Sequence, residues 1–134
     1  MCLTVPGKFD RLTEIAAFVT QAARTCGLND DDVFHVEMAV DEACSNIIEH
    51  AYAGEAGRDF RLHCEFKDGK LVMTFHDRGK SFDFKNVDQP DLTASLSERK
   101  VGGLGIYLMH KLMDEVDYKI ARSGNFLTLI KRKD

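Results

Sequence analysis

The chain has 134 residues, 44% of them hydrophobic and 30% charged, enough for one globular domain with a real core and too few for two. A net charge of -4 without a long run of Lys or Arg gives little electrostatic drive toward nucleic acid or an anionic membrane, so neither is expected as a direct partner. Cys2, Cys26, Cys44 and Cys64 never form Cys-x-x-Cys, the first residues show no signal pattern, and no apolar run approaches the roughly 18 residues that span a bilayer, which together predict reduced thiols and a cytoplasmic location.

Residues 2 to 5 read as a short strand ended by Pro6 and Gly7. Asp10 is then placed to cap a helix that carries Leu12, Ile15, Ala16, Val19 and Ala23 inward until Gly27 stops it. Asn29 to Asp32 supply capping oxygens and negative charge to a second helix. Its apolar residues Val33, Val36, Val40, Ala43 and Ile47 recur at spacings of three and four, and it is expected to run to about Tyr52, before the "GEAG" segment. "DFRLHCEF" alternates strictly, with Phe60, Leu62, Cys64 and Phe66 on one face. "KDGK" carries a hairpin signal, and "LVMTFHD" returns as the antiparallel partner.

From Lys80 to Val101 periodicity disappears, and a loop this long inside a small domain is often a functional lid. A helix beginning near Leu104 follows, then a second hairpin turning at Ser123 to Asn125. Three helices and four or five antiparallel strands argue a two-layer α+β sandwich with the helices on one face.

Three short motifs carry chemistry. In "DEACSNIIEH", Glu42 and Asn46 stand one helical turn apart at the border of the apolar stripe, beside small Ala39. A carboxylate there can take a proton from a hydroxyl or a water, and an amide oxygen one turn away suits magnesium, which keeps phosphates and waters as its other ligands. The same spacing also occurs on ordinary solvated helix edges. In "HDRGKSF", Asp77 closes a strand where it can accept from an exocyclic amine such as that of adenine, and Gly79 lets backbone lie flat against a ring; a simple strand-ending turn has the same letters. In "RKVGGLGIYL", Gly102, Gly103 and Gly105 permit close approach to a helix N-terminus next to Arg99 and Lys100, a phosphate-binding combination, with a hinge as the alternative. Lys80 and Lys85 can reach the same anion, or be merely solvated. No Gly-Lys-Ser/Thr follows, so this is not a Walker A loop, and Leu108 occupies the place of the third Rossmann glycine. His35 and His50 flank the first motif and form no zinc-type pair.

The order of these pieces resembles the GHKL superfamily of ATP-binding domains: an N box (Glu42, Asn46), a G1 box (Asp77, Gly79) and a G2 box (Gly103, Gly105), matched over nearly the whole chain. "DEACSNIIEHAY", "FHDRGKSFD" and "GGLGIYLMHKLMDEVDY" look most like the anti-sigma-factor serine kinases of bacterial partner switching. That resemblance implies a single Bergerat-fold domain over residues 1–134 that binds ATP and Mg2+ under a lid at about 83–101. It implies Glu42 as catalytic base, Asn46 as magnesium ligand, Asp77 as adenine contact, Gly103 and Gly105 as phosphate contacts, and Thr128 as a second adenine-side polar residue. It further implies a homodimer that phosphorylates a STAS-domain antagonist and sequesters a sigma factor, with helix one as a candidate partner surface. Sequestration without transfer, or an ATPase domain of a larger signalling complex, would use the same nucleotide site. The chain departs from the family at Ser81, where a second glycine or a proline is common.

Overall fold

The computed structural model describes residues 2–6, 9–51, 59–81 and 103–133. In chain order these form β1 (Cys2–Pro6), a 3-10 turn (Phe9–Arg11), α1 (Leu12–Thr25), α2 (Asp30–Asn46) continuing into a π turn (Ile47–Ala51), β2 (Asp59–Lys67), β3 (Lys70–Asp77), α3 (Gly103–Leu112), β4 (Glu115–Ala121) and β5 (Gly124–Arg132). The strands make one antiparallel sheet in the order β1-β2-β3-β5-β4. Helical Ile15, Val19, Val36, Val40 and Met109 share a core with sheet residues Phe60, Leu62, Met73, Phe75 and Leu129, the two-layer α+β sandwich that the sequence predicts. Among the described residues no helix is long and apolar enough to cross a membrane.

Asp10 does not cap α1. The chain enters through the 3-10 turn that contains Asp10, so the N-cap position falls on Arg11, which makes no side-chain capping bond and pairs with exposed Glu14 at 2.7 Å instead. The other end of α1 closes as expected. Gly27, at φ +83, donates to the Arg24 carbonyl and Leu28 to that of Ala23, a Schellman pair that satisfies the last carbonyls.

At the start of α2 the Asn29 side chain accepts from the Asp32 N–H at 2.8 Å, and all five apolar positions of the stripe are buried. Regular α geometry stops at Asn46, not near Tyr52, and the wider π turn takes over. Consecutive Ile47 and Ile48 are both buried there. Tyr52 lies outside the described residues.

The β2–β3 hairpin turns through Asp68 (φ 54) and Gly69 (φ 74), the paired positive angles of a type I′ turn. Phe66 stays on the face of Phe60, Leu62 and Cys64, paired with buried Leu71, but is 43% exposed, since β2 outruns β1, whose register ends with Cys2 opposite His63. The second hairpin is tighter than expected: Ala121 pairs with Gly124, so the turn is Arg122–Ser123 and Asn125 belongs to the strand. Lys131, buried on β5, ties the layers together. Its Nζ donates to the Leu112 carbonyl at the end of α3 (2.7 Å) and lies 3.7 Å from Asp32 at the start of α2. This clamp links the end of α3 to the start of α2.

Candidate functional site

Glu42 and Asn46 lie in the last two turns of α2, where Ala39 is fully buried beneath them. Glu42 is half-buried, and no described residue bonds or pairs with its carboxylate. Burial chiefly, then the like charges of Asp41 and Glu49, push its carboxyl above the ordinary glutamate range. Asn46 is 8% exposed, and its side-chain amide likewise has no described partner. Helix α3 brings Gly105 against both: a Cβ built there would stand 2.5 Å from Glu42 Oε2 and 3.6 Å from Asn46 Nδ2. Gly103 is the first residue of α3.

A second cluster closes the sheet end. Asp77 is 5% exposed, and its Oδ1 accepts from the Gly79 N–H (2.9 Å) and from Asn125 Nδ2 (3.0 Å). Both described donors use one oxygen, so among the described residues Oδ2 keeps its acceptor capacity. Asn125, 2% exposed, also donates Nδ2 to the Gly79 carbonyl (3.0 Å) and accepts from the Ser81 hydroxyl (2.7 Å). The serine that departs from the family pattern thus completes the Asn125 bonds, a contribution that neither glycine nor proline could make. Gly124, at φ 133, packs on the Asp77 carbonyl, where a Cβ would collide. The His76 ring stacks on Phe126 with centroids 4.3 Å apart, and its Nε2 donates to the Ser123 carbonyl at 2.8 Å, which holds the adjoining turn.

Thr128 is not brought to this cluster. Side chains alternate along a strand, and on β5 Asn125, Leu127 and Leu129 are buried toward the helices. Thr128 therefore points from the opposite face, in register with Thr74 and Asp117. Asn125 is the β5 residue at the Asp77 end, in register with Asp77 itself. Sequence reasoning placed it in a turn; the signal that locates it is its odd-numbered phase with Leu127 and Leu129. His35, two turns before Glu42, faces Asp32 at 4.0 Å. Lys85, Arg99, Lys100, Gly102, the His50 side chain and the proposed lid at 83–101 lie outside the described residues. Among the described residues no three His, Cys, Asp or Glu side chains are arranged to hold a metal. A metal at Asn46 would therefore take most of its ligands from phosphate and water, a composition that suits magnesium.

The chain matches the histidine kinase-like ATPase domain family over residues 5–131. It is 33% identical over 135 residues to a serine-protein kinase RsbW of Bacillus pumilus, covering 96% of this chain and 83% of that one. It is 32% identical to a protein of the same name from Halalkalibacterium halodurans, covering 96% and 80%. Among solved structures it resembles one of the SiaB-SiaC complex from Pseudomonas aeruginosa (TM-score 0.68, 18% identity, 98% of this chain and 87% of that one). It also resembles the RsbU and RsbW domains of a Mycobacterium tuberculosis protein (TM-score 0.65, 18% identity), covering 98% of this chain and about a third, 32%, of that one. At these identities the structural likeness carries the fold.

Proposed function

Because the chain belongs to the histidine kinase-like ATPase domain family, we propose that it is an ATP-dependent protein serine/threonine kinase and anti-sigma factor. It phosphorylates a STAS-domain antagonist and sequesters a sigma factor, and it works as a homodimer in the cytoplasm. The observation that carries the proposal is the convergence of Glu42, Asn46 and Gly105 where α2 meets the start of α3. The names of the relatives at about a third identity support the kinase assignment.

The surroundings of each residue suit its part in the reaction. Asp77 Oδ2 accepts from the adenine amine, while Asn125 and Gly79 hold Oδ1 and keep the carboxylate plane fixed. The backbone N–H groups of Gly103 and Gly105 offer the positive end of α3 to phosphate oxygens. Asn46 would hold magnesium by its side-chain oxygen, and a bound ion would offset phosphate charge. Glu42 accepts the proton of the acceptor serine or threonine hydroxyl as that oxygen bonds to the γ-phosphorus and ADP departs. A carboxyl held above its ordinary pKa by burial is the stronger base for that step. Phosphoryl transfer asks a protein mainly for positioning and charge neutralisation, and this set of groups supplies both.

The test is ATP titration with and without magnesium, followed by label transfer from γ-labelled ATP to STAS-domain proteins of the same genome. Magnesium-dependent binding that is lost in Asn46→Ala, with transfer lost in Glu42→Ala, is the expected result. Absence of ATP binding by the wild type refutes the nucleotide site. Binding with no transfer to any STAS protein leaves sequestration as the whole activity.

A further inference from the structure

Gly105 is the third residue of α3, an ordinary helical position without a positive φ, so no backbone conformation demands glycine there. Glycine within a helix costs about 1 kcal/mol relative to alanine, and some other requirement must offset that cost. The requirement visible in the structure is space. A Cβ at Gly105 would lie 2.5 Å from Glu42 Oε2 and 3.4 Å from its Cδ, whereas Asn46 Nδ2, at 3.6 Å, would be in ordinary contact. The missing methyl thus makes room for one of the two site side chains and is neutral to the other.

We propose that Gly105 is a positioning residue for Glu42: its bare backbone lets the carboxylate stand against α3 in the place from which it takes the acceptor proton. This rests on the reading of Glu42 as the general base. A methyl group at 105 forces the carboxylate away by about 1 Å to reach normal contact, and a shift of that size costs on the order of 10²-fold in rate. The colliding atoms are the far end of a flexible side chain, so the fold yields easily, and the added alanine favours the helix. The backbone N–H of residue 105 survives the substitution, so the phosphate donor is retained. Gly105 therefore governs the transfer step more than nucleotide affinity.

The experiment uses the full chain, γ-labelled ATP and a STAS-domain protein that the wild type phosphorylates. Gly105→Ala is expected to melt no lower than the wild type, to bind ATP within about threefold of it, and to transfer on the order of 10²-fold more slowly. Glu42→Asp supplies the second arm, since a carboxylate one methylene shorter clears the new methyl. It should cost activity in the wild-type background and little or none in the Gly105→Ala background, a coupling that a merely structural glycine would not produce. Gly105→Ala transferring at full rate, losing ATP affinity in step with activity, or combining additively with Glu42→Asp overturns the inference. Glu42→Ala at full activity overturns the base assignment and this inference with it. An inactive Glu42→Ala beside a fully active Gly105→Ala overturns this inference alone.

Discussion

Asn125→Ala is the sharpest test of how the sheet end is built. The variant removes three hydrogen bonds: Nδ2 to Asp77 Oδ1, Nδ2 to the Gly79 carbonyl, and the bond accepted from the Ser81 hydroxyl. Asp77 keeps the Gly79 N–H, and Ser81 is exposed enough to turn to water, so the loss falls mainly on Asp77 and the Gly79 carbonyl. At about 1 kcal/mol for a neutral bond and about 2 for one to a charged group, the cost is about 3 kcal/mol. Spread over 134 residues, an unfolding entropy of about 0.28 kcal/mol/K turns that into a fall in Tm of about 10 °C. Scanning calorimetry gives the Tm and titration calorimetry the ATP affinity, which should weaken at least about tenfold because the Asp77 carboxylate loses one of the two donors that hold its Oδ1. Thr128→Ala is the control. It faces the other side of the sheet and should cost less than about 1 kcal/mol, with ATP affinity unchanged. An Asn125→Ala protein that melts within about 2 °C of wild type, or a Thr128→Ala protein that loses ATP binding equally, refutes the reasoning.

Asn46→Ala should abolish the magnesium dependence of ATP binding; calorimetry with and without the ion decides it. Glu42→Gln should stabilise the fold at pH values above the ordinary glutamate range. The Glu42 carboxyl titrates higher in the folded chain, so the folded state binds more protons across that interval and stability falls as pH rises through it. The gap between variant and wild type should close as pH drops below about 4, the ordinary glutamate range, which melting curves against pH will show. Lys131→Met leaves the Leu112 carbonyl and Asp32 without their buried ammonium and should cost about 2 kcal/mol, seen as a lower urea midpoint with an unchanged slope.

Local features of this fold are legible in the chain. The α2 stripe, the Asn29 cap and the Asp68–Gly69 turn each involve neighbours within a few positions, so periodicity and turn chemistry identify them. Glu42 and Asn46 were legible for the same reason, being one turn apart on a well-phased helix. Asp10 misled because a 3-10 turn and an α-helix start share the same residue preferences. The π turn has no spacing signature, and its mark, two adjacent buried isoleucines, is visible only once burial is known. Asn125, and the contact of Gly105 with Glu42, escaped for a deeper reason. Their partners lie 48 and 63 positions away, and the register of β5 on β3 or the approach of α3 to α2 is set by packing, not by any nearby residue.

The sheet order has a consequence in time. The β2–β3 and β4–β5 pairs are hairpins that close locally, on the scale of about microseconds. Joining β3 to β5 closes an interval of 48 residues, and such non-local pairings come late. Asp77 and Asn125 meet only at that junction. A chain emerging from the ribosome therefore completes this end of the sheet only after β5 has left the tunnel, when α1, α2 and the first hairpin are already outside. A nucleotide held at Asp77, as proposed, would meet the finished sheet and could not template its earlier stages.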